Sequence, residues 1–207
     1  MTERSDVDLM LAVQAGDDAA FSVLVERHKS AVVNLTYRYL GNFADAEDLA
    51  QEVFLKVYGA RARYRPEAKF TTWMYRIAVN TSLNEVRNRK NRPTFRAAPL
   101  VDAGQGGETA AAVADARAAA PADEVERLEL NERVRAAVDR LPERQRMALL
   151  LNKFQGLSYE ELAATFDLTI QAIKSLLTRA RENVRHQIAP YVEGARVESA
   201  APGREKT

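Results

Sequence analysis

The sequence predicts an all-α protein of two small helical domains joined by a flexible linker. Apolar residues recur at helical spacing through most of the 207 residues, no stretch alternates as a strand does, and residues 93–124 break the periodicity. The length accommodates one large or two small domains. With 46% apolar residues, 30 Lys plus Arg against 29 Asp plus Glu, and no Cys, the composition excludes a wholly disordered chain, a disulfide scaffold and a Cys-ligated zinc site.

Asp6 to Ala15 reads as a short helix stopped at Gly16. Asp17 or Asp18 caps a long second helix through Leu24, Val32, Leu35 and Leu40, ending near Gly41. A third starts near Asp45 and runs through Leu49, Val53 and Val57 to Gly59. After a loop at Arg65-Pro66, a fourth runs from about Phe70 to Lys90, ending before Pro93. These residues, 1–92, form the first domain. Residues 93–124 are rich in Ala and poor in large apolar side chains, so they bury too little surface to offset ordering entropy and read as a linker. The glycines at 104–107 lack a flanking strand and belong to that linker rather than to a phosphate loop. In the second domain, 125–190, Leu128, Leu130, Val134, Val138 and Leu141 mark one helix. Pro142 then opens the next as its first residue, through Met147, Leu150, Leu151 and Phe154 to Gly156. Two short helices follow, and residues 191–207 read as a disordered tail.

The net charge of +1 hides unlike parts. Residues 1–60 carry 5 basic and 10 acidic side chains; residues 61–92 carry 9 basic and 2 acidic. Aromatic side chains (Tyr64, Phe70, Trp73, Tyr75) are interleaved with this basic block, which suits phosphate attraction combined with base stacking. Of these, Trp73 reads as core. Thr72, Arg76, Asn80 and Arg87 form a polar strip between two apolar flanks of the fourth helix, and Asn80 is suited to reading a base edge. The loop Tyr64, Arg65, Pro66, Glu67, Ala68, Lys69 can accept an unstacked base.

The most specific local signal lies at 157–181. Ser158 and Glu161 have capping-box spacing, Ala163 permits a close helix crossing, Asp167 and Leu168 occupy a turn, and Thr169 caps a second helix. This is a helix-turn-helix. Its outer face carries Gln171, Ala172, Lys174, Ser175, Thr178 and Arg179. The N-terminal residues of that face would meet base edges in a major groove, while Thr178 and Arg179 hold phosphates.

DAEDLAQEVFLKVY at 45–58, YRPEAKFTTWMYRIAVN at 64–80 and LPERQRMALLLNKFQGLSYEELA at 141–163 resemble the bacterial sigma-70 family, specifically its small two-domain extracytoplasmic-function members. The resemblance covers about residues 17–190 except the linker. It implies that residues 1–92 are region 2, which binds core RNA polymerase and opens the minus-ten element, and that residues 125–190 are region 4, which reads the minus-thirty-five element. Asp45, Asp48, Leu49, Gln51, Glu52 and Phe54 would then dock on the clamp helices of the largest polymerase subunit, with a further contact to the flap. Tyr64, Arg65 and Lys69 would capture a flipped base, while Thr72, Arg76, Asn80 and Arg87 hold adjoining DNA. Thr169, Gln171, Ala172, Lys174, Ser175, Thr178 and Arg179 would meet the minus-thirty-five element. An anti-sigma factor and a role in a stress or envelope response are further implications. Three positions depart from the family pattern: Asp167 stands at the usual turn Gly, Gln171-Ala172 at a common Gly-Thr, and Leu176 at a common Arg.

The alternatives are a free-standing helix-turn-helix repressor or activator, which needs a dimer to read two half-sites, and an enzyme acting on nucleic acid. His28 and His186 have no metal-ligand spacing and read as surface residues, so no catalytic group, metal or cofactor is expected. No signal peptide or membrane-spanning stretch is evident, and a cytoplasmic location is expected.

Overall fold

The computed structural model describes the backbone of residues 4–91 and 121–199 and the side chains of residues 4–90 and 128–191. These residues form eight α-helices and no strand: α1 Asp6–Gln14, α2 Asp18–Leu40, α3 Phe43–Gly59, α4 Phe70–Asn91, α5 Pro121–Asp139, α6 Glu143–Phe154, α7 Tyr159–Phe166 and α8 Ile170–Ser199. The all-α expectation holds.

Side-chain caps fix the helix starts. Ser5 accepts from the Asp8 N–H, Asp17 from Ala20 and Asn42 from Asp45, each satisfying a donor that the helix itself cannot. Asn42 moves the start of α3 ahead of the predicted Asp45. Gly41 ends α2 in left-handed backbone at φ 79°, where a side chain would be strained. Inside the first half, the buried Thr36 hydroxyl lies 2.9 Å from the Ala46 carbonyl and joins α2 to α3. Leu9, Leu24, Leu35, Val53 and Met74 form the core between α1, α2, α3 and α4.

The second half differs from expectation at its ends. Residues 93–120 of the predicted linker lie outside the described residues, and its last four, 121–124, already belong to α5. Pro142 is the N-cap of α6 rather than its first residue. The last helix is not short, because α8 continues through Pro190 to Ser199, past the predicted start of the tail at 191; residues 200–207 lie outside the described residues. A proline removes one N–H from the ladder; at the next residue the Arg133 guanidinium of α5 lies 3.5 Å from the centroid of the Tyr191 ring.

The halves are also not apart. α4 packs on α7 and α2 on α6, and one cluster of buried apolar side chains runs from Leu9 to Leu177 through both. At the seam the Tyr75 hydroxyl donates to Gln155 Oε1 at 2.7 Å, and Gln155 Nε2 donates to the Ala31 carbonyl at 3.3 Å. Pattern reading cannot find such a seam, since its partners are 80 and 124 residues apart.

Candidate nucleic-acid interface

Two faces carry the polar groups singled out in the sequence. The first is on α4, whose sides pack into the protein through Met74, Tyr75, Ala78, Val79 and Leu83. That leaves a strip in which Arg76, Asn80, Asn84 and Arg87 are exposed. Three of the four predicted strip residues are there. Thr72 is not: it is 5% exposed, one turn into the helix beside buried Phe70 and Met74. Asn84, at the i+4 position from Asn80, was missed, though the helical period alone identifies it. An open groove of about 540 Å³ between α3 and α4 brings Asn80 and Asn84 beside Lys56 and Arg63, and its other wall includes Glu52 and Leu55.

The loop before α4 is held from behind. Gln14 Nε2 donates to the Tyr64 carbonyl at 3.1 Å. Tyr64 itself corrects the sequence reading: its ring is 1% exposed and packs edge-on against Phe70 and Trp73, at centroid distances of 6.2 and 5.1 Å. A ring so enclosed cannot stack on a base, and burial followed by the nearby Asp6 charge pushes its phenol pKa up. Tyr64 anchors the loop, while Arg65 and Lys69 are its exposed cations. Trp73 is half-buried, as its core reading requires. His28 is not a surface residue; its Nε2 lies 2.8 Å from Asp6 Oδ2 with the side chain 14% exposed, and its ring tilts against Phe70.

On α3 the predicted partner residues divide. Asp48, Gln51 and Glu52 are exposed, whereas Leu49 and Phe54 are 3% and 8% exposed and belong to the core. Asp45 is tied to Arg89 at 2.6 Å. The apolar side chain on the outer face is Leu55, 72% exposed, with Phe43 at the helix start 57% exposed. Leu55 falls one turn after Gln51 and Glu52, so the spacing that placed Leu49 inward also places Leu55 outward.

The second face is on α8. Both halves of the capping box form: Ser158 Oγ accepts from the Glu161 N–H at 3.2 Å, and Glu161 Oε2 accepts from the Ser158 N–H at 2.8 Å. Asp167 takes left-handed backbone at φ 54°, ψ 53°, so the turn survives without its usual glycine. Thr169 Oγ1 accepts from the Ala172 N–H at 3.1 Å, capping α8. Ile173, Leu177 and Ala180 are buried beneath it. On the outside Thr169, Gln171, Lys174, Thr178 and Arg179 are exposed and Ala172 and Ser175 partly so, with the Ser175 hydroxyl turned back to the Gln171 carbonyl at 3.0 Å. All seven predicted residues therefore share one accessible region around the start and outer side of α8.

Among the described residues there is no group of three or more His, Cys, Asp or Glu placed to hold a metal ion, and no helix is long and apolar enough to cross a membrane.

Comparison with known proteins agrees with this arrangement. Residues 24–92 match the model of Sigma-70 region 2, and residues 131–184 match that of Sigma-70, region 4. The RNA polymerase sigma-H factor of Pseudomonas aeruginosa is 33% identical over 197 residues, spanning 94% of this chain and all of that protein. The ECF RNA polymerase sigma-E factor of Escherichia coli K12 is 36% identical over 192 residues, spanning 91% and 96%. Among solved structures, the sigma factor RpoE of Bartonella quintana, in a co-crystal with the anti-sigma factor NepR, superposes with a TM-score of 0.61 at 20% identity, covering 82% of this chain and 96% of that one, a likeness of fold. With two accessible polar faces on two matched regions, and relatives aligned almost end to end, the chain belongs to the sigma-70 family, among its extracytoplasmic-function sigma factors.

Proposed function

We propose that the chain is the promoter-specificity subunit of RNA polymerase: it binds the core enzyme through α3, holds melted minus-ten DNA along α4, and reads the minus-thirty-five element with α8. The observation that carries this reading is that a single chain presents two separate exposed faces of cations and amides, Arg76, Asn80, Asn84 and Arg87 on α4 and Gln171, Lys174, Thr178 and Arg179 on α8. A free-standing repressor needs only the second.

The chemistry follows from the side chains. Guanidinium groups attract phosphates, and fixed amides offer paired donors and acceptors to base edges. Asn80 and Asn84, set on a helix buried on its other sides, meet the strand without first being ordered. Arg65 and Lys69 draw the backbone toward the Tyr64 loop, and the groove bounded by Lys56 and Arg63 receives an unpaired nucleotide. On α3, Asp48, Gln51 and Glu52 surround exposed Leu55 and form a polar-rimmed apolar contact for the polymerase. The protein acts by binding and positioning, in the cytoplasm, and is itself no enzyme. An anti-sigma factor is the expected regulator.

Run-off transcription with purified core polymerase and a pool of genomic fragments tests the reading. Arg76→Ala and Asn80→Ala should weaken promoter opening while leaving polymerase association intact, and replacing Asp48 and Gln51 together should do the reverse. Equal loss of both activities in either set would refute the assignment.

A further inference from the structure

We infer that Gln14 of α1 is a positioning residue for the loop between α3 and α4: its amide holds two loop carbonyls in place, so that Arg65 is free to leave them for a phosphate. This rests on the reading of that loop as the one that captures an unpaired base. The brace comes from outside residues 24–92, the part of the chain matched to region 2.

The loop needs a donor from elsewhere. It leaves a single 3-10 turn at Arg61–Arg63 and enters α4 at Phe70. Among the described residues neither the Ala62 nor the Tyr64 carbonyl accepts a backbone N–H. For Ala62 the reason is covalent, because the residue one helical turn on is Pro66, which has no N–H to give. Gln14 Nε2 donates to the Ala62 carbonyl at 3.3 Å and to the Tyr64 carbonyl at 3.1 Å. Both neighbours are acceptors only, so the side chain can present to them only its NH2, and a group with two donors meets two acceptors.

Two features make this more than a local contact. The amide is delivered by a fixed helix: Leu9, Met10 and Val13 of α1 are buried, and Asp6 at its start accepts from Arg27 at 2.9 Å and lies 2.8 Å from His28 Nε2. α1 ends at Gln14, just before Gly16 turns the chain at φ 100°. The second feature is a shared pair of acceptors. Arg65 Nη1 folds back to the same Tyr64 carbonyl at 3.0 Å and to the same Ala62 carbonyl at 3.4 Å. A carbonyl oxygen has two lone pairs and accepts both donors. When the Arg65 guanidinium turns outward to a phosphate, Gln14 keeps both carbonyls paired, and the backbone stays where the buried Tyr64 ring sets it. Without the amide, Arg65 is their only side-chain donor, and every turn toward DNA gives up the bonds that hold the loop in shape. Gln14 therefore matters most in the DNA-bound chain, although it touches no DNA.

Gln14→Met keeps the length of the side chain and removes the donor; Gln14→Lys returns one. Gln14→Met with Ala15→Lys places the same added charge on the neighbouring exposed residue and controls for it. Each full-length chain is combined with core polymerase on a promoter carrying 2-aminopurine in the non-template strand of the minus-ten element, whose fluorescence rises when a base unstacks. Gln14→Met should slow opening on the order of tenfold while polymerase association is unchanged. Gln14→Lys should recover opening, and the charge control should not. In the free chains, hydrogen exchange over residues 60–69 should rise by less than about threefold in Gln14→Met or Arg65→Ala alone, and by on the order of tenfold when the two are combined, because each donor covers for the other. Opening at the parental rate in Gln14→Met overturns the proposal, as does loss of opening and polymerase association together, or equal opening by Gln14→Lys and the charge control. Should the parent give no fluorescence change while the exchange is non-additive, the brace stands and the base-capture reading fails; additive exchange with normal opening by the parent has the opposite meaning.

Discussion

Asp167 is the one non-glycine residue with positive φ among the described residues, and it sits where the helix-turn-helix reverses. Left-handed backbone costs an ordinary L-residue about 1–2 kcal/mol, and Asp less than most. Glycine removes that strain but enlarges the entropy of the unfolded chain, which returns roughly 0.5–1 kcal/mol. Asp167→Gly should therefore stabilise the protein by only about 0.5 kcal/mol, whereas Asp167→Ala, with a Cβ and no local polar contact to ease the conformation, should destabilise it by about 1 kcal/mol. At this chain length 1 kcal/mol moves Tm by about 2–4 °C, so the two variants should bracket the parent and melt about 3–6 °C apart by circular dichroism. Asp167→Asn is the control for charge, because it keeps the tolerance of left-handed backbone while removing the carboxylate. A glycine variant that melts below the alanine variant would refute the strain argument.

Other expectations follow from the same contacts. Tyr64→Phe removes a buried hydroxyl that has no hydrogen-bond partner among the described residues, and should leave stability unchanged or raise it by about 1 kcal/mol; Tyr64→Ala should cost about 3–5 kcal/mol, both read by denaturant unfolding. Burial pushes Tyr75 up to about 12, and burial together with the nearby Glu143 does the same for Tyr39 against the opposing Arg146. A phenol with a raised pKa stays protonated in the folded protein after it would ionise in the unfolded chain. Stability from these groups is therefore fully present below pH 10 and falls between pH 10 and 12, and tyrosinate absorbance should show four of the seven tyrosines, Tyr39, Tyr58, Tyr64 and Tyr75, titrating later than an ordinary phenol, with Tyr39 and Tyr75 last. Lys174→Ala should cost about 1–3 kcal/mol of binding at one base position if that ammonium reads a base, and should weaken binding uniformly across sequences, with a shallower salt dependence, if it meets phosphate.

Much of this was legible in the sequence because it depends on local chemistry. Asp17, Gly41, Ser158, Glu161 and Thr169 cap helices through bonds spanning three or four residues, and the buried positions of α4 follow its period. What failed depends on distant partners. Tyr64 looked like a loop aromatic open to a base because nothing nearby in sequence indicates that Phe70 and Trp73 fold over it. His28 looked exposed because its Asp6 partner lies 22 residues away. Leu49 and Phe54 were assigned outward by resemblance, although their spacing with Val53 and Val57 already argued for the core; there the period was the better guide. The small, polar composition after residue 190 read as a tail, whereas α8 continues through Pro190 to Ser199.

The length of α8 has a mechanical consequence. From Ile170 to Tyr191 the helix spans about 30 Å, and the clasp of Arg133 on Tyr191 secures its far end to α5. Such a rod transmits rotation. On the proposed reading of α8 as the DNA-reading helix, a displacement applied at Tyr191 through α5 would be carried along one rigid element to Thr169 and Gln171 at its other end.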